Sequence, residues 1–170
     1  MVHVGLSQAA TVRAGRALGR RDPVSLRRGG IAAMGLSGLM VAFTIALFLG
    51  APGLLVSGFV DPADPQRGAI LELGAQLLAV AALFQLVDAG QVMALGLLRG
   101  VQDTAVPMVM ASVSYWLIGL PAGYLLGFSF GIGPVGIWLG LVVGLTVAAV
   151  LLNGRFWLRR AHGVEPNPAL

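Results

Sequence analysis

One acidic side chain sits deep inside a long apolar stretch: Asp88, in the segment LLAVAALFQLVDAGQVMALGLLRGVQDT from Leu77 to Thr104. An ionised carboxylate at the centre of a membrane helix costs roughly 2.5 to 3.5 kcal/mol on insertion scales. At helical rise Asp88 is about 16 Å from Arg99 and about 24 Å from Glu72 at the other end of the segment, near mid-membrane. Gln85 and Gln91 lie three residues to either side, which makes a polar stripe on an otherwise apolar helix. Such a stripe faces other helices or water, not lipid. Three roles are open to Asp88: a proton carrier loaded and released as solvent access changes, a ligand for Na⁺ with backbone and amide oxygens, or a structural carboxyl satisfied between helices. Gln85 and Gln91 are candidates for the same site or for interhelical hydrogen bonding. Phe84 precedes Asp88 by one turn. Tyr115 and Trp116, about 12–14 Å in from Pro107 at helical rise, are candidates to line a cavity or to pack on a neighbour or lipid.

Few other residues offer chemistry. The chain has no Cys and no Lys, so thiolate metal sites, Cys nucleophiles and a Lys-bearing phosphate loop are all excluded. His3 and His162 stand near the chain ends without metal-ligand spacing, and surface placement is expected for both. No Ser, His and acid form a recognisable nucleophilic set. The expectation is a protein that is not an enzyme, has no cofactor, and binds no metal beyond a Na⁺ that Asp88 would hold.

The elements that position Asp88 are membrane helices. The 170 residues are 57% hydrophobic and 11% charged, against about 25% charged residues in a soluble domain. The fold class expected is all-α membrane: a partial helix over 1–19, then four complete spans over about 30–59, 69–98, 107–128 and 135–152, with 161–170 as a polar tail. Asp22 and Pro23 form an N-cap and first helical position. Gly50-Ala51-Pro52-Gly53 kinks or ends the first span, and Pro121 bends the third, its lost backbone bond made good by neighbouring helices. Gly131-Ile132-Gly133-Pro134 is a tight turn. Asp103 and Thr104 are expected to cap the third span, with Pro107 in its first turn. Gly119, Gly123 and Gly127, and likewise Gly136, Gly140 and Gly144, recur every fourth residue and allow close helix approach. Trp138 and Trp157 are expected at the membrane interfaces.

Ten of the eleven basic residues, all Arg, fall on one side of this topology, and Arg67 alone falls on the other. The positive-inside rule then puts both chain ends in the cytoplasm. The net charge of +4 is thus explained by topology rather than by nucleic-acid binding. No signal peptide is visible, and the first residues read like the second half of a membrane helix.

The stretch FQLVDAGQVMALGLLRGVQDTAVPM, Phe84 to Met108, resembles the tenth helix and following loop of multidrug and toxin extrusion (MATE) transporters, NorM-like members among them. The pattern is aromatic-Gln-x-x-Asp, x-x-Gln, small residues, then Arg-Gly-x-x-Asp-Thr. GLSQAATVRAGRALGRRD, Gly5 to Asp22, is similar to the eighth helix and its exit, and Phe59-Val60-Asp61-Pro62 to the end of the ninth. The resemblance covers about residues 1–160. It implies twelve helices in two six-helix lobes, of which this chain supplies part of helix eight and helices nine to twelve. The N-terminal lobe and helix seven, which carries an acidic partner, lie outside it. It further implies efflux of small lipophilic or cationic compounds across the inner (plasma) membrane, in exchange for H⁺ or Na⁺, by alternating access. Asp88 matches the helix-ten acid of cation coupling. Some Na⁺-linked members carry a Tyr where Phe84 stands, so that hydroxyl is missing here. Two other functions fit part of the pattern: a lipid-linked-precursor flippase of the same superfamily, which would want basic residues inside its cavity, and a non-transporting membrane scaffold.

Overall fold

The structure, a computed structural model, describes residues 2–160. The chain between those limits is helix and short connections. α1 (Val2–Gly19) leads into α2 (Pro23–Gly50), α3 (Pro52–Ser57) and α4 (Arg67–Gly100). α5 (Ala105–Val113), a π-helical stretch (Ser114–Gly119), α6 (Leu120–Tyr124) and a second π-helical stretch (Leu125–Ser129) run on as one span. α7 (Pro134–Arg155) continues through a π-helical turn, Phe156–Arg160. Among the described residues four helices are long and apolar enough to cross a membrane: Pro23–Gly50, Arg67–Gly100, Ala105–Ser129 and Pro134–Leu158. The expected tail, and His162 within it, lie outside the described residues.

Local chemistry accounts for the helix ends. Asp22 is in extended conformation and its carboxylate accepts from the Ser25 N–H at 2.9 Å and the Ser25 hydroxyl at 2.5 Å, so two donors of the first turn are satisfied ahead of Pro23. The first span breaks at Ala51, directly before Pro52, which has no N–H to continue the ladder. Pro121 is absorbed without a break. The turn just before it is π-helical, with the Leu120 N–H reaching back to the Tyr115 carbonyl. At the 131–134 turn Gly131 and Gly133 both have φ +69°, a conformation that costs a side-chain-bearing residue energy.

Two packing centres hold the helices together. The first joins α1, α2, α4 and α7 through Ala10, Ala14, Leu26, Leu97, Leu98, Leu152 and Phe156, all buried. Here α4 is cut back to glycine so that α1 can approach. A Cβ at Gly96 would lie 2.6 Å from the Ser7 carbonyl oxygen, and one at Gly100 would lie 2.5 Å from that of Thr11. The Thr11 hydroxyl adds a hydrogen bond to the Gly96 carbonyl at 2.8 Å. The second centre is the crossing of the third and fourth spans. Gly119 and Gly123 face Gly144 and Gly140 with backbone nearly on backbone, and Gly127 faces the Ile137 side chain.

At the start of the third span Thr104 makes no side-chain capping bond, so the cap expected of it is not formed. Asp103 pairs with Arg155 at the end of α7, Nε to Oδ2 at 2.7 Å and Nη2 to Oδ1 at 3.0 Å. Such a bidentate guanidinium–carboxylate pairing is among the stronger polar contacts a protein makes. The arginine-bearing ends of α1, α2, α4 and α7 gather at one end of the bundle, where Gly30 of α2 sits against Leu97, Phe156 and Trp157.

Candidate functional site

Asp88 lies in the second half of α4, half-buried, with Ala89 and Gln91 buried beside it. Among the described residues its carboxyl oxygens have no hydrogen-bond donor. Gln91 is 5% exposed and its Nε2 donates to the hydroxyl oxygen of Tyr115, which stands in the π-helical stretch of the third span. The Tyr115 carbonyl accepts the Leu120 N–H that closes this π turn, and π turns are frequent at functional sites. Tyr115 and Asp88 are within electrostatic reach of each other. The stripe expected on α4 therefore faces the third span at Gln91, and Asp88 and Tyr115 border one polar region.

His3, on α1, corrects the expectation of a surface or interfacial residue. It is 6% exposed, and its Nδ1 and the Ser37 hydroxyl are 2.9 Å apart, joining α1 to α2. It is also within electrostatic reach of Asp88. A signal for this burial is present in the chain: His3, Ser7, Ala10, Ala14 and Ala17 follow a four-three spacing, and all five are buried on one face of α1. Asn153 of α7 closes the region from a further side, its Nδ2 donating to the Gly90 carbonyl at 3.2 Å and to Ala149 at 2.8 Å.

The remaining predicted residues are placed differently. Phe84 packs edge-on against Trp138, ring centroids 5.7 Å apart at 71°, so its ring is committed to the α4–α7 contact. Gln85, six residues before Gln91, is half-buried and takes no part in the Tyr115 contact. Trp116 is 68% exposed, while Trp157 packs edge-on against Phe156. Tyr115 and Trp116 nevertheless border a common cavity of about 390 Å³ with Arg99, Asp103, Pro107 and Met108, between the end of α4 and the third span. It is open to the surface, lined largely by apolar side chains, and flanked by the Asp103–Arg155 pair.

The family described as MatE matches residues 1–125. Among curated relatives, the "Probable multidrug resistance protein NorM" of Brucella suis biovar 1 (strain 1330) is 46% identical over 163 residues, 95% of this chain and 34% of that protein. The "Multidrug resistance protein NorM" of Burkholderia vietnamiensis is 42% identical over 159 residues, 94% of this chain and 34% of that protein. Among solved structures, the eukaryotic MATE transporter AtDTX14 superposes with a TM-score of 0.83 at 25% identity, over 94% of this chain and 35% of that one. The chain spans about a third of the length of these relatives.

Proposed function

This chain belongs to the MatE family, and on that premise we propose that it is part of the C-terminal lobe of a multidrug efflux antiporter in which Asp88 carries the coupling ion. The observation that carries the reading is the position of Asp88: a carboxylate near the middle of a 34-residue apolar helix, without a hydrogen-bond donor among the described residues, beside the Gln91–Tyr115 pair and His3. A group of this kind exchanges a proton, or holds Na⁺ with an amide oxygen, when solvent access changes. The missing N-terminal lobe supplies the opposite wall of the substrate path, and alternating access is the rocking of the two lobes about it. Substrates are small lipophilic or cationic compounds, and Tyr115, Trp116 and the cavity between α4 and the third span offer them aromatic and apolar surface. The arginine distribution orients both ends of the chain to the cytoplasm across the inner membrane.

The test is D88N in the complete transporter, in membrane vesicles energised separately by an H⁺ and a Na⁺ gradient. Gradient-driven efflux of a cationic dye falls to the level of vesicles without transporter, while dye binding to purified protein persists. Gradient-driven efflux equal to wild type in D88N removes Asp88 from coupling. The ion whose gradient drives wild-type efflux identifies the coupling ion.

A further inference from the structure

Four arginines converge at the loop between α1 and α2. Arg13 and Arg16 project from α1, Arg20 stands in the turn just after it, and Arg28 answers them from α2. Together with Ser25 they line a cavity of about 280 Å³. Arg13 crosses toward α2, its Nε lying 4.0 Å from where a Cβ at Gly29 would stand. Among the described residues no acidic side chain lines the cavity. The nearby carboxylate, Asp22, is engaged by the N–H and hydroxyl of Ser25, and Arg20 acts on it from a distance. Four guanidinium groups facing a shared space with no described carboxylate in it repel one another, and that cost is relieved by an anion. Their planar, forked donors match the oxygens of a phosphate group.

The surroundings select the kind of phosphate. Arg28 lies just before the apolar run Ile31–Leu49. Ile31, Gly35 and Leu39 continue the Arg28 face down α2 at helical spacing. Ile31 and Leu39 are 55% and 62% exposed, and nothing lies within 4 Å of a Cβ at Gly35. A polar cradle therefore lies above an apolar stripe that no described residue covers, the shape of a headgroup with an acyl chain below it.

We propose that this cavity binds the phosphate of an anionic glycerophospholipid, whose acyl chain lies along Ile31, Gly35 and Leu39. Basic cavities between membrane helices hold anionic headgroups by this chemistry. The site is separate from Asp88 and does not depend on the transport reading.

The experiment is native mass spectrometry of the complete purified protein, titrated with phosphatidylglycerol or phosphatidylcholine of the same acyl chains. Wild type retains phosphatidylglycerol at least tenfold better. R16Q/R28Q loses that preference, about fivefold for each arginine removed, while R67Q, at the other end of the bundle, keeps it. Equal retention of the two lipids by wild type, or a full preference in the double variant, overturns the proposal. If the double variant does not accumulate, R16Q and R28Q are read singly, and a full preference in both overturns it. Inorganic phosphate distinguishes the source of the anion: half-displacement of phosphatidylglycerol at an equimolar phosphate concentration would mean a soluble-anion site and would also overturn the lipid assignment.

Discussion

Arg155 grips Asp103 through two hydrogen bonds, 2.7 and 3.0 Å, across 52 residues of chain, and both side chains are nearly buried. The pair ties the loop that ends α4 to the last turn of α7, beside the cavity that holds Tyr115 and Trp116. Removing one partner of a buried pair leaves an uncompensated charge, at a cost of roughly 3 to 5 kcal/mol. D103N and R155Q are therefore both expected to lower the thermal midpoint of the detergent-solubilised protein. R155K keeps the charge but loses the fork, and falls between wild type and R155Q. Three midpoints indistinguishable from wild type would show that the pair does not hold the loop.

The Gln91–Tyr115 contact is tested by Y115F. The ring is kept, but the buried Gln91 amide loses its acceptor, which costs about 1 to 3 kcal/mol. Q91L/Y115F removes both polar groups and recovers part of that loss. The same pair of variants reads function: if Tyr115 orients the region around Asp88, Y115F slows gradient-driven efflux even where the protein is as abundant as wild type. An unchanged midpoint and an unchanged rate together would reduce the contact to incidental packing.

The glycine crossing predicts an asymmetric response to a single methyl group. A Cβ at Gly140 would overlap the Gly123 backbone, which no rotamer change relieves. G140A therefore forces the spans apart and costs about 3 kcal/mol, the upper part of the range for overpacking. G35A meets nothing within 4 Å and lies in a helix interior, so it is neutral or stabilising by up to about 1 kcal/mol. Comparable loss of folded protein in both would show that the crossing is not tightly packed.

The Asp22 cap carries a pH signature. The Ser25 hydroxyl and N–H hold the Asp22 carboxyl below the ordinary carboxylate range. Its contribution to stability is therefore complete above the unfolded-chain value of about 3.9 and is lost as the pH falls through the lower folded value. The midpoint difference between wild type and D22A is expected to stay constant from about pH 7 to 5 and to close below about pH 4. D22N, which keeps a capping oxygen, shows a weaker dependence. A difference that widens in acid would contradict the cap.

Much of the architecture was legible in residue order. A bilayer sets the length of an apolar helix, and a backbone with no water to bond must satisfy itself within each helix, so runs such as Ile31–Leu49 could be little else. Asp22-Pro23, Gly50-Ala51-Pro52 and Gly131-Ile132-Gly133-Pro134 mark ends because their backbone preferences are local. The stripe of Gln85, Asp88 and Gln91 is legible for the same reason: three polar groups three residues apart share a helix face whatever packs on it.

Which faces meet was not legible. Lipid tails are as apolar as Leu, so a membrane helix has no polar side to mark the direction of its neighbours, and periodicity does not distinguish lipid from protein. Only the tertiary structure brings His3 to Ser37, Phe84 to Trp138, Gly96 and Gly100 against α1, and Gln91 to Tyr115. Asp103 shows the limit most clearly. Local rules made it a cap because the vacant N–H groups beside it are local. Its pairing with Arg155 is not local: the fold delivers a guanidinium from 52 residues away, with two charged donors for one carboxylate.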